Sequence, residues 1–419
     1  MRYKISIIKK SIYFCFTFLI ISCAKKIEND VSVIDDLDPT VILISLDGFR
    51  WDYLTRADTP NLDILVENGV TTESLIPVFP SSTFPNHLSA VTGCYPENHG
   101  ILSNNMYDQE WDAEYYIGEN SEPVREGRWY DAEPIWVTAE NQGKLTGTYF
   151  WPGSEAEIHG TRPSYYGVYD GNISREDRVK KILEWIDLPK QSRPVFMTLY
   201  FSDVDSWGHA MGPDPTEMNS IIEQIDESIG LLVSGLNKRE ILDSVNIIIT
   251  SDHGMSQLSR DRVIFLDDYI NVHDVRMVDW SPVAMILPED DSIASVYSDL
   301  YEAHPQMSVY KKEDVPERLH FNSHRRIPPI VCVAADGWSI STRDYFNDNP
   351  YKYTGGTHGY DPVNKSMHGI FIASGPGLKE GHTVDSFSII HVYEVIAHIL
   401  GIDTPENDAS FDSISVMLK

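Results

Sequence analysis

Three almost unbroken apolar runs are the clearest feature of the hydrophobic pattern of this chain. They cover residues 41–46, 195–200 and 246–250. A short continuous apolar run is typical of a strand that is buried on both faces, as in a parallel sheet. We therefore expect these three runs to form the centre of a sheet.

Segments with helical periodicity or helix-end signals alternate with these and further strands. Helices are predicted at residues 59–69, 133–142, 175–186, 215–236 and 388–400, and further strands at 70–75, 144–150 and 369–373. Strands that alternate with helices over most of a chain indicate an α/β fold, with a mostly parallel central sheet covered by helices on both faces.

Two segments do not follow this alternation. Residues 106–130 are rich in Trp, Tyr and Glu without a clear period, which suggests a cap over a site. Residues 260–350 contain strand-like runs at 283–287 and 330–334 and a helix near 291–301. We expect one catalytic domain over residues 40–419, with insertions near 105–130 and 260–350.

The N-terminus is typical of an export signal. Four basic residues precede a short apolar run at 11–21, which is too short to span a bilayer. The run ends in IISC at 20–23, which resembles a bacterial lipobox with a lipid on Cys23. We expect a lipoprotein signal peptide at 1–22 and a polar tether at 23–39. The protein would then be an exported lipoprotein in the outer membrane or facing the periplasm. The alternative is a plain signal peptide.

Composition narrows the class of partner. The chain has 419 residues, is 42% hydrophobic and carries a net charge of −30. Such a surface repels nucleic acid and anionic headgroups, so we expect a small-molecule substrate, no long nucleic acid, and membrane contact only through the N-terminal lipid. If the substrate is a phosphate ester, local cations must overcome this charge. Cys94 and Cys332 could pair in an oxidising compartment, but two free buried thiols are favoured.

Thr83 lies in the segment PSSTFPNH at 80–87, ahead of an apolar run that ends at Gly93. Proline in the first turn and glycine after the last turn predict a helix that begins near Thr83. The free N–H groups of a helix N-terminus favour an anion or a developing alkoxide, although an ordinary capping threonine would give the same pattern.

Carboxylate and imidazole groups occur at strand ends or in glycine-rich loops. They are Asp47, Asp205, His209, Asp252, His253 and His358. Ligands of these types suit zinc, and their number favours two ions. One group would be Asp205, His209 and His358, and the other Asp47, Asp252 and His253 with the Thr83 oxygen. Paired ions can clamp the attacking and leaving oxygens of a displacement at phosphorus.

These motifs resemble the nucleotide pyrophosphatase/phosphodiesterase family of the alkaline phosphatase superfamily. The matching segments are SLDGFR at 45–50, PSSTFPNH at 80–87, TG at 92–93, YP at 95–96, HGI at 99–101, EPIW at 133–136, FWPG at 150–153, DSWGH at 205–209, SDHG at 251–254, DGW at 336–338 and GTHGYD at 356–361. The resemblance covers nearly the whole chain after the tether. It implies an alkaline-phosphatase-like core.

The resemblance also implies specific roles for residues. It implies a di-zinc site with the ligand sets given above and Thr83 as the covalent nucleophile. Asn104, together with the Phe84 backbone N–H, would contact a phosphoryl oxygen. Phe84 and Tyr169 would flank the leaving or nucleoside group. Dinucleotides, nucleoside triphosphates, nucleotide sugars and choline phosphodiesters all remain open as substrates.

Rival functions differ in their motifs. A sulfatase would need a Cys/Ser-x-Pro-x-Arg motif, and an aspartyl-nucleophile phosphatase a second Asp at position 49, which is Phe. A phosphomonoesterase would need extra cations beside Thr83, where the sequence has no Lys or Arg. A phosphonate hydrolase remains an alternative, as does a non-catalytic surface lipoprotein that binds zinc or nucleotides.

Overall fold

The computed structural model describes residues 32–118 and 121–419. The proposed signal peptide, the lipid site at Cys23 and most of the tether therefore lie outside the described residues.

The strands alternate with helices as the pattern predicts. The strands are β1 Thr40–Leu46, β2 Val70–Thr72, β3 Leu75–Ile76, β4 Asn105–Asp108, β5 Ala113–Tyr116, β6 Thr146–Tyr149, β7 Tyr165–Gly167, β8 Phe196–Phe201, β9 Val245–Thr250, β10 Ser256–Gln257, β11 Val263–Phe265, β12 Val275–Asp279, β13 Val283–Pro288, β14 Met307–Lys311, β15 Ile330–Ala334, β16 Ser339–Ser341, β17 Gly356–Thr357, β18 Phe371–Ser374, β19 His382–Val384 and β20 Phe387–Ser388.

The helices are α1 Pro60–Glu67, α2 Thr83–Thr92, α3 Pro96–His99, α4 Ile135–Asn141, α5 Arg175–Ile186, α6 Asp203–Met211, α7 Glu217–Asn237, α8 Ile293–Leu300, α9 Arg343–Asp348, α10 Val392–Leu400 and α11 Phe411–Ile414. No helix in the described part of the chain has both the length and the apolar character needed to cross a membrane.

The central sheet has eight strands in the order β19-β2-β18-β9-β1-β8-β6-β7. All of them run in one direction except β18, which pairs antiparallel with β9 and β2. The connection between β9 and β18 is long and contains the lobe described below. It is not a single crossover helix, which would make β18 parallel to β9. The prediction of a mostly parallel sheet is confirmed.

Both faces of the sheet are covered because β1 alternates its side chains between two cores. Val41 and Leu43 pack into the core that includes α2, α4 and α10. Ile42, Ile44 and Leu46 pack into the core that includes α1, α5 and α7. A strand buried on both faces has no polar face, which is why it appears as a continuous apolar run.

Residues 263–341 contain a sheet of their own. Strands β12, β13, β15 and β14 form a four-stranded antiparallel sheet, and a separate core includes Ile286, Leu300 and Cys332. We call residues 263–353 the lobe. Within residues 105–118, β4 and β5 form a hairpin. Both Cys332 and Cys94 are buried and free, in agreement with the sequence analysis.

One predicted element is wrong in detail. The single strand expected at 70–75 is divided into β2, which joins the central sheet, and β3, which pairs with β20. The intervening Glu73 and Ser74 turn the chain out of the sheet, and the Ser74 hydroxyl bonds to Ser386 at 2.8 Å. Periodicity alone does not reveal such a break in a short apolar run.

Candidate active site

The carboxylates of the candidate site lie where three neighbouring strands end. Strand β1 lies between β9 and β8, and all three are parallel. Asp47 follows β1, Asp252 and His253 follow β9, and Asp205 lies on α6 directly after β8. Since the carboxyl ends of parallel strands share one edge, the sheet brings these residues together.

Gly48 allows α6 to pack closely against the end of β1. Its φ is +69°, and a Cβ at this position would lie 2.8 Å from Asp205 Cα. Its N–H also donates to Asp252 Oδ1 at 3.2 Å. A side chain would therefore push α6 away from the end of β1, which explains the glycine after Asp47.

Two further histidines lie near these carboxylates. His209 is on α6, one turn after Asp205, and His358 comes from a distant part of the chain. His358 follows β17, which pairs with β10 just beyond His253. A Cβ on Gly355 would lie 1.8 Å from the His209 carbonyl oxygen, so glycine permits this strand to run against α6. The glycine-rich loop thus positions His358 beside a ligand group from two other strands.

Three carboxylate oxygens of the site have no hydrogen-bond partner among the described residues. They are Asp47 Oδ1, Asp205 Oδ1 and Asp252 Oδ2, and all three atoms are buried. An unpaired buried carboxylate is costly, and proteins normally retain one only where a cation balances it. The donor set therefore fits a cation, and these atoms are where it would bind.

The imidazoles point to a metal in the same way. His209 Nδ1 lies 3.0 Å from the Gly356 carbonyl, His253 Nδ1 2.9 Å from that of Gly254, and His358 Nδ1 3.0 Å from that of Ser81. A ring that donates from Nδ1 presents the Nε2 lone pair on its other side. Metal-binding histidines are commonly oriented by such bonds.

Each Nε2 faces a carboxylate oxygen. His253 Nε2 lies 3.1 Å from Asp252 Oδ2 and 3.4 Å from Asp47 Oδ1. Asp205 Oδ1 lies 3.4 Å from His209 Nε2 and 3.6 Å from His358 Nε2. A lone pair that faces a carboxylate is repelled unless a proton or a metal ion lies between them. Since carboxylate and imidazole ligands suit zinc, a transition-metal ion fits this arrangement.

Two groups of three residues each place their ligand atoms within 4.8 Å of one another. One is Asp47, Asp252 and His253, and the other is Asp205, His253 and His358. The first group has the three residues expected from the sequence. The second contains His253 where the sequence analysis placed His209, which instead lies beside Asp205 with 42% of its side chain exposed. The assignment of His209 as a ligand stays a prediction.

The electrostatics of the group follow from its burial. Burial, together with the neighbouring Asp252 and Asp205, raises the pKa of Asp47 well above its usual value. Burial also raises the pKa of Asp205. Burial would lower the pKa of His253, but the neighbouring carboxylate of Asp252 outweighs it and raises that pKa to about 10. The site therefore attracts positive charge strongly.

Thr83 is the first residue of α2, after the N-cap Ser82, and Gly93 ends the helix with φ +70°. The predicted helix position is confirmed. Thr83 Oγ1 lies 3.3 Å from His253 Nε2. The hydroxyl therefore faces the ligand group and lies at a helix N-terminus, where N–H groups favour negative charge.

Phe84 and Asn104 contact each other. The Phe84 N–H donates to Asn104 Oδ1 at 3.0 Å. The Asn104 carbonyl oxygen accepts a hydrogen bond of 3.1 Å from Ile117 N–H. These two bonds fix the side chain and the backbone of Asn104 beside Thr83. The resemblance assigns the Phe84 N–H to a phosphoryl oxygen, but in the structure this N–H donates to Asn104 Oδ1. The amide NH₂ of Asn104 is therefore the donor of this pair that remains for a phosphoryl oxygen.

A cavity of about 320 Å³ opens beside Thr83. Its walls include Phe84, Trp151, Tyr169 and Tyr200, and Asp47 and Asp205 also line it. Tyr169 is 42% exposed, and its N–H donates to Glu155 Oε1 at 2.9 Å. The structure thus places Phe84 and Tyr169, the aromatic pair expected from the sequence, around one cavity. Its aromatic walls suit a flat ring next to Thr83.

Sequence reasoning missed three residues that support the site. Tyr200 Oη donates to Asp47 Oδ2 at 2.5 Å. His87 lies on α2 with Nδ1 3.3 Å from Asp252 Oδ2 and Nε2 2.7 Å from Ser45 Oγ. Asp279 of the lobe accepts hydrogen bonds from Ser103 and from Asn105.

The signals for these residues differ. His87 lies in the segment 80–87, one helical turn after Thr83, so helical spacing could have identified it. Tyr200 is the last residue of the predicted strand 195–200 and follows no pattern that points to Asp47. Asp279 comes from a distant part of the chain, and only the fold brings it to residues 103–105.

Comparisons with known proteins identify the family of this chain. A family model for type I phosphodiesterase / nucleotide pyrophosphatase matches residues 41–361. The human ectonucleotide pyrophosphatase/phosphodiesterase family member 5 is 38% identical over 380 residues, which cover 90% of this chain and 78% of the relative. A bis(5'-adenosyl)-triphosphatase of Xenopus laevis is 39% identical over 382 residues, covering 91% and 82%.

Solved structures show the same fold. An inactive threonine-to-alanine variant of murine ectonucleotide pyrophosphatase/phosphodiesterase 5, in complex with AMP, superposes with a TM-score of 0.85 and 36% identity. The match covers 91% of this chain and 100% of that chain. From the family match and these relatives, this chain belongs to the type I phosphodiesterase / nucleotide pyrophosphatase family and is a hydrolase of that class.

Proposed function

We propose that this protein is a di-zinc phosphodiesterase and nucleotide pyrophosphatase. It would hydrolyse phosphodiester or phosphoanhydride bonds of small nucleotide-type substrates through a covalent phospho-threonine on Thr83. One observation carries the proposal. Three buried carboxylate oxygens that have no hydrogen-bond partner among the described residues lie in two groups with imidazoles, and His253 of both groups is 3.3 Å from the Thr83 hydroxyl.

The metal ligands of this proposal come from the residues at the strand ends. Asp47, Asp252, His253 and the Thr83 oxygen would hold one zinc ion, and Asp205, His209 and His358 the other. When bound, the two ions supply positive charge that lowers the pKa of a hydroxyl or a water and offsets the charge on the phosphoryl group.

Thr83 performs the bond-making step. Its Oγ1 attacks phosphorus and a P–O bond to Thr83 forms. The departing oxygen leaves with the electron pair of the bond that breaks, and the proton of the Thr83 hydroxyl ends on that oxygen. Water then attacks phosphorus, its hydroxyl stays on phosphorus, and its proton returns to Thr83 Oγ1 as the bond to Thr83 breaks. The attacking and departing oxygens lie roughly in line in both displacements. No side chain is assigned as a general base.

Asn104 and α2 stabilise the charge that spreads over the phosphoryl oxygens. The Asn104 amide is held by Phe84 and supplies NH₂ donors, and Thr83 lies at the positive end of the helix. Donors that are fixed before the reaction cost no reorganisation when the charge develops.

The cavity favours a diester that bears a ring. No Lys or Arg is among the described residues that line it, so a phosphate with one negative charge fits better than a phosphomonoester. Phe84 and Tyr169 offer aromatic faces to a nucleobase. The AMP complex of the murine relative and the name of the Xenopus laevis relative both support an adenine nucleotide as substrate.

The test combines turnover with a trap for the intermediate. Zinc-loaded protein should release p-nitrophenol from the p-nitrophenyl ester of thymidine 5′-monophosphate, and a chelator should stop it. Acid quenching followed by mass spectrometry should find the nucleotidyl group on the peptide that contains Thr83. Zinc-loaded protein without turnover would favour the non-catalytic binding function, and cleavage of a carbon–phosphorus bond would favour a phosphonate hydrolase.

We also propose that the protein is exported and anchored through a lipid on Cys23. The support is the basic and apolar pattern of residues 1–22 followed by ISC at 21–23. Cys23→Ser should move the protein from the membrane fraction to the soluble periplasmic fraction. A variant that stays in the membrane fraction would overturn the lipid anchor.

A further inference from the structure

A second cavity, of about 530 Å³, lies in the lobe beside the candidate active site. We call it the lobe cavity. It is lined by residues that include Trp280, Ser341, Tyr345, Lys352, Tyr353 and Thr357. It shares no described lining residue with the cavity next to Phe84 and Tyr169. The proposed reaction uses only the first cavity.

The lobe cavity adjoins the active site on the side of His358. Thr357 lines the cavity and immediately precedes His358. The His358 ring stacks on the His253 ring with centroids 3.6 Å apart, and His253 contacts Thr83 at 3.3 Å. The wall of the lobe cavity is therefore one residue away from His358, which packs on the imidazole beside Thr83.

The residues on either side of Trp280 contact two segments of the candidate active site. The preceding residue, Asp279, accepts hydrogen bonds from Ser103 and Asn105, which flank Asn104. Two residues after Trp280, Pro282 packs on the loop of His358, because a Cβ on Gly359 would lie 2.9 Å from Pro282 Cδ. Trp280 thus lies between the segment of Asn104 and the segment of His358.

The chemistry of the lobe cavity suits an anion that carries a flat ring. Trp280 is 38% exposed and Tyr345 46% exposed, so both present aromatic surface to solvent. Lys352 Nζ donates to Tyr345 Oη at 2.7 Å, which holds a cation at the wall. No carboxylate is among the described residues that line it, although the chain as a whole has a net charge of −30.

We propose that the lobe cavity binds the departing half of the substrate when that half ends in a nucleobase, with the base against Trp280 and Tyr345 and a phosphate near Lys352. This inference rests on the proposed function, since a departing half exists only if the chain cleaves a phosphoanhydride. The departing oxygen leaves on the side of phosphorus opposite Thr83. His358 lies across the His253 ring from Thr83 and is one residue from Thr357 in the cavity wall.

The test uses two substrates that differ only in the second nucleoside. Diadenosine triphosphate has a nucleoside on its departing half, whereas ATP has none. Trp280→Ala should raise KM for diadenosine triphosphate about 10-fold, the typical effect of losing one base–aromatic stack. KM for ATP should stay within about twofold of the unmodified protein. Lys352→Gln should raise KM for both substrates.

Tyr301→Ala is the matched control, because Tyr301 is an exposed aromatic residue of the lobe that does not line the cavity. It should leave KM for both substrates unchanged. Equal effects of Trp280→Ala on the two substrates, or no effect on either, would overturn the inference.

A binding measurement separates this inference from the proposed function. In Thr83→Ala protein, calorimetry should show that Trp280→Ala weakens binding of diadenosine triphosphate about 10-fold and leaves binding of AMP unchanged. If the unmodified protein hydrolyses neither substrate, the proposed function fails, and this measurement still decides whether the lobe cavity binds the second nucleoside. Unchanged affinity for diadenosine triphosphate would overturn it.

Discussion

Tyr200 Oη donates a hydrogen bond of 2.5 Å to Asp47 Oδ2, and both side chains are buried. The bond occupies one carboxylate oxygen of Asp47 and leaves Oδ1, which lies 3.4 Å from His253 Nε2, as the oxygen that faces the ligand group. Tyr200 therefore sets the orientation of a proposed metal ligand without contacting the metal itself.

Tyr200→Phe should weaken metal binding while the fold stays intact. Loss of a group that orients a metal ligand typically costs about 10- to 100-fold in metal affinity. Competition with a chelator of known affinity would measure the change. Tyr393→Phe is the control, because Tyr393 is buried and its hydroxyl contacts Thr138, away from the site. Equal affinities for the two variants would contradict the role of Tyr200.

Thr83→Ala should abolish turnover while metal content stays near normal. The carboxylates and imidazoles remain in place, and only the attacking oxygen is removed. Thr83→Ser retains a hydroxyl at the same helix position and should keep measurable activity. Metal analysis of purified protein and release of p-nitrophenol would check both statements. Persistent activity in Thr83→Ala would show that Thr83 is not the nucleophile.

Asn104→Ala should lower kcat by about 10²- to 10³-fold, as expected for the loss of a donor that stabilises transition-state charge. Its KM should change little if the contact forms mainly in the transition state. Circular dichroism would confirm that the variant is folded. A large rise in KM with unchanged kcat would instead assign Asn104 to ground-state binding.

Asp279 should act on catalysis through Asn104. It bonds to Ser103 and Asn105 on either side of Asn104, and a small misplacement of a catalytic group can cost up to about 10²-fold in rate. Asp279→Ala should therefore lower kcat in the unmodified protein but have almost no further effect in Asn104→Ala. Asp268→Ala, which removes an exposed lobe carboxylate paired with Arg343, is the control. Equal effects in both backgrounds would make Asp279 a general stability residue.

Removal of metal should destabilise the folded protein. An ion present at about 1,000 times its Kd stabilises the folded state by about 4 kcal/mol, which corresponds to a Tm change of about 5 °C for a domain of this size. Differential scanning calorimetry with and without chelator would measure this shift, and added zinc should reverse it. A Tm that does not respond to chelator would contradict tight metal binding by the folded protein.

Much of the fold could be predicted from the sequence because the central strands are buried on both faces. Strands β1, β8 and β9 appear as continuous apolar runs, and Asp47 and Asp252 follow two of them directly. The helix at Thr83 was also predictable, since its proline and glycine signals act locally. Local signals fail for short strands such as β2 and β3, whose separation depends on partners far along the chain.

By itself the sequence determined which strands form the centre of the sheet, the family to which the chain belongs, and which residues are candidates for its chemistry. Tertiary structure alone decided that His253 is within reach of both ligand groups, that Tyr200 and His87 support the carboxylates, and that Asp279 of the lobe reaches the segment of Asn104. The physical reason is the range of the interactions: apolar periodicity and helix-end signals act over a few residues, whereas distances between side chains from separate strands depend on how the whole sheet and the lobe pack.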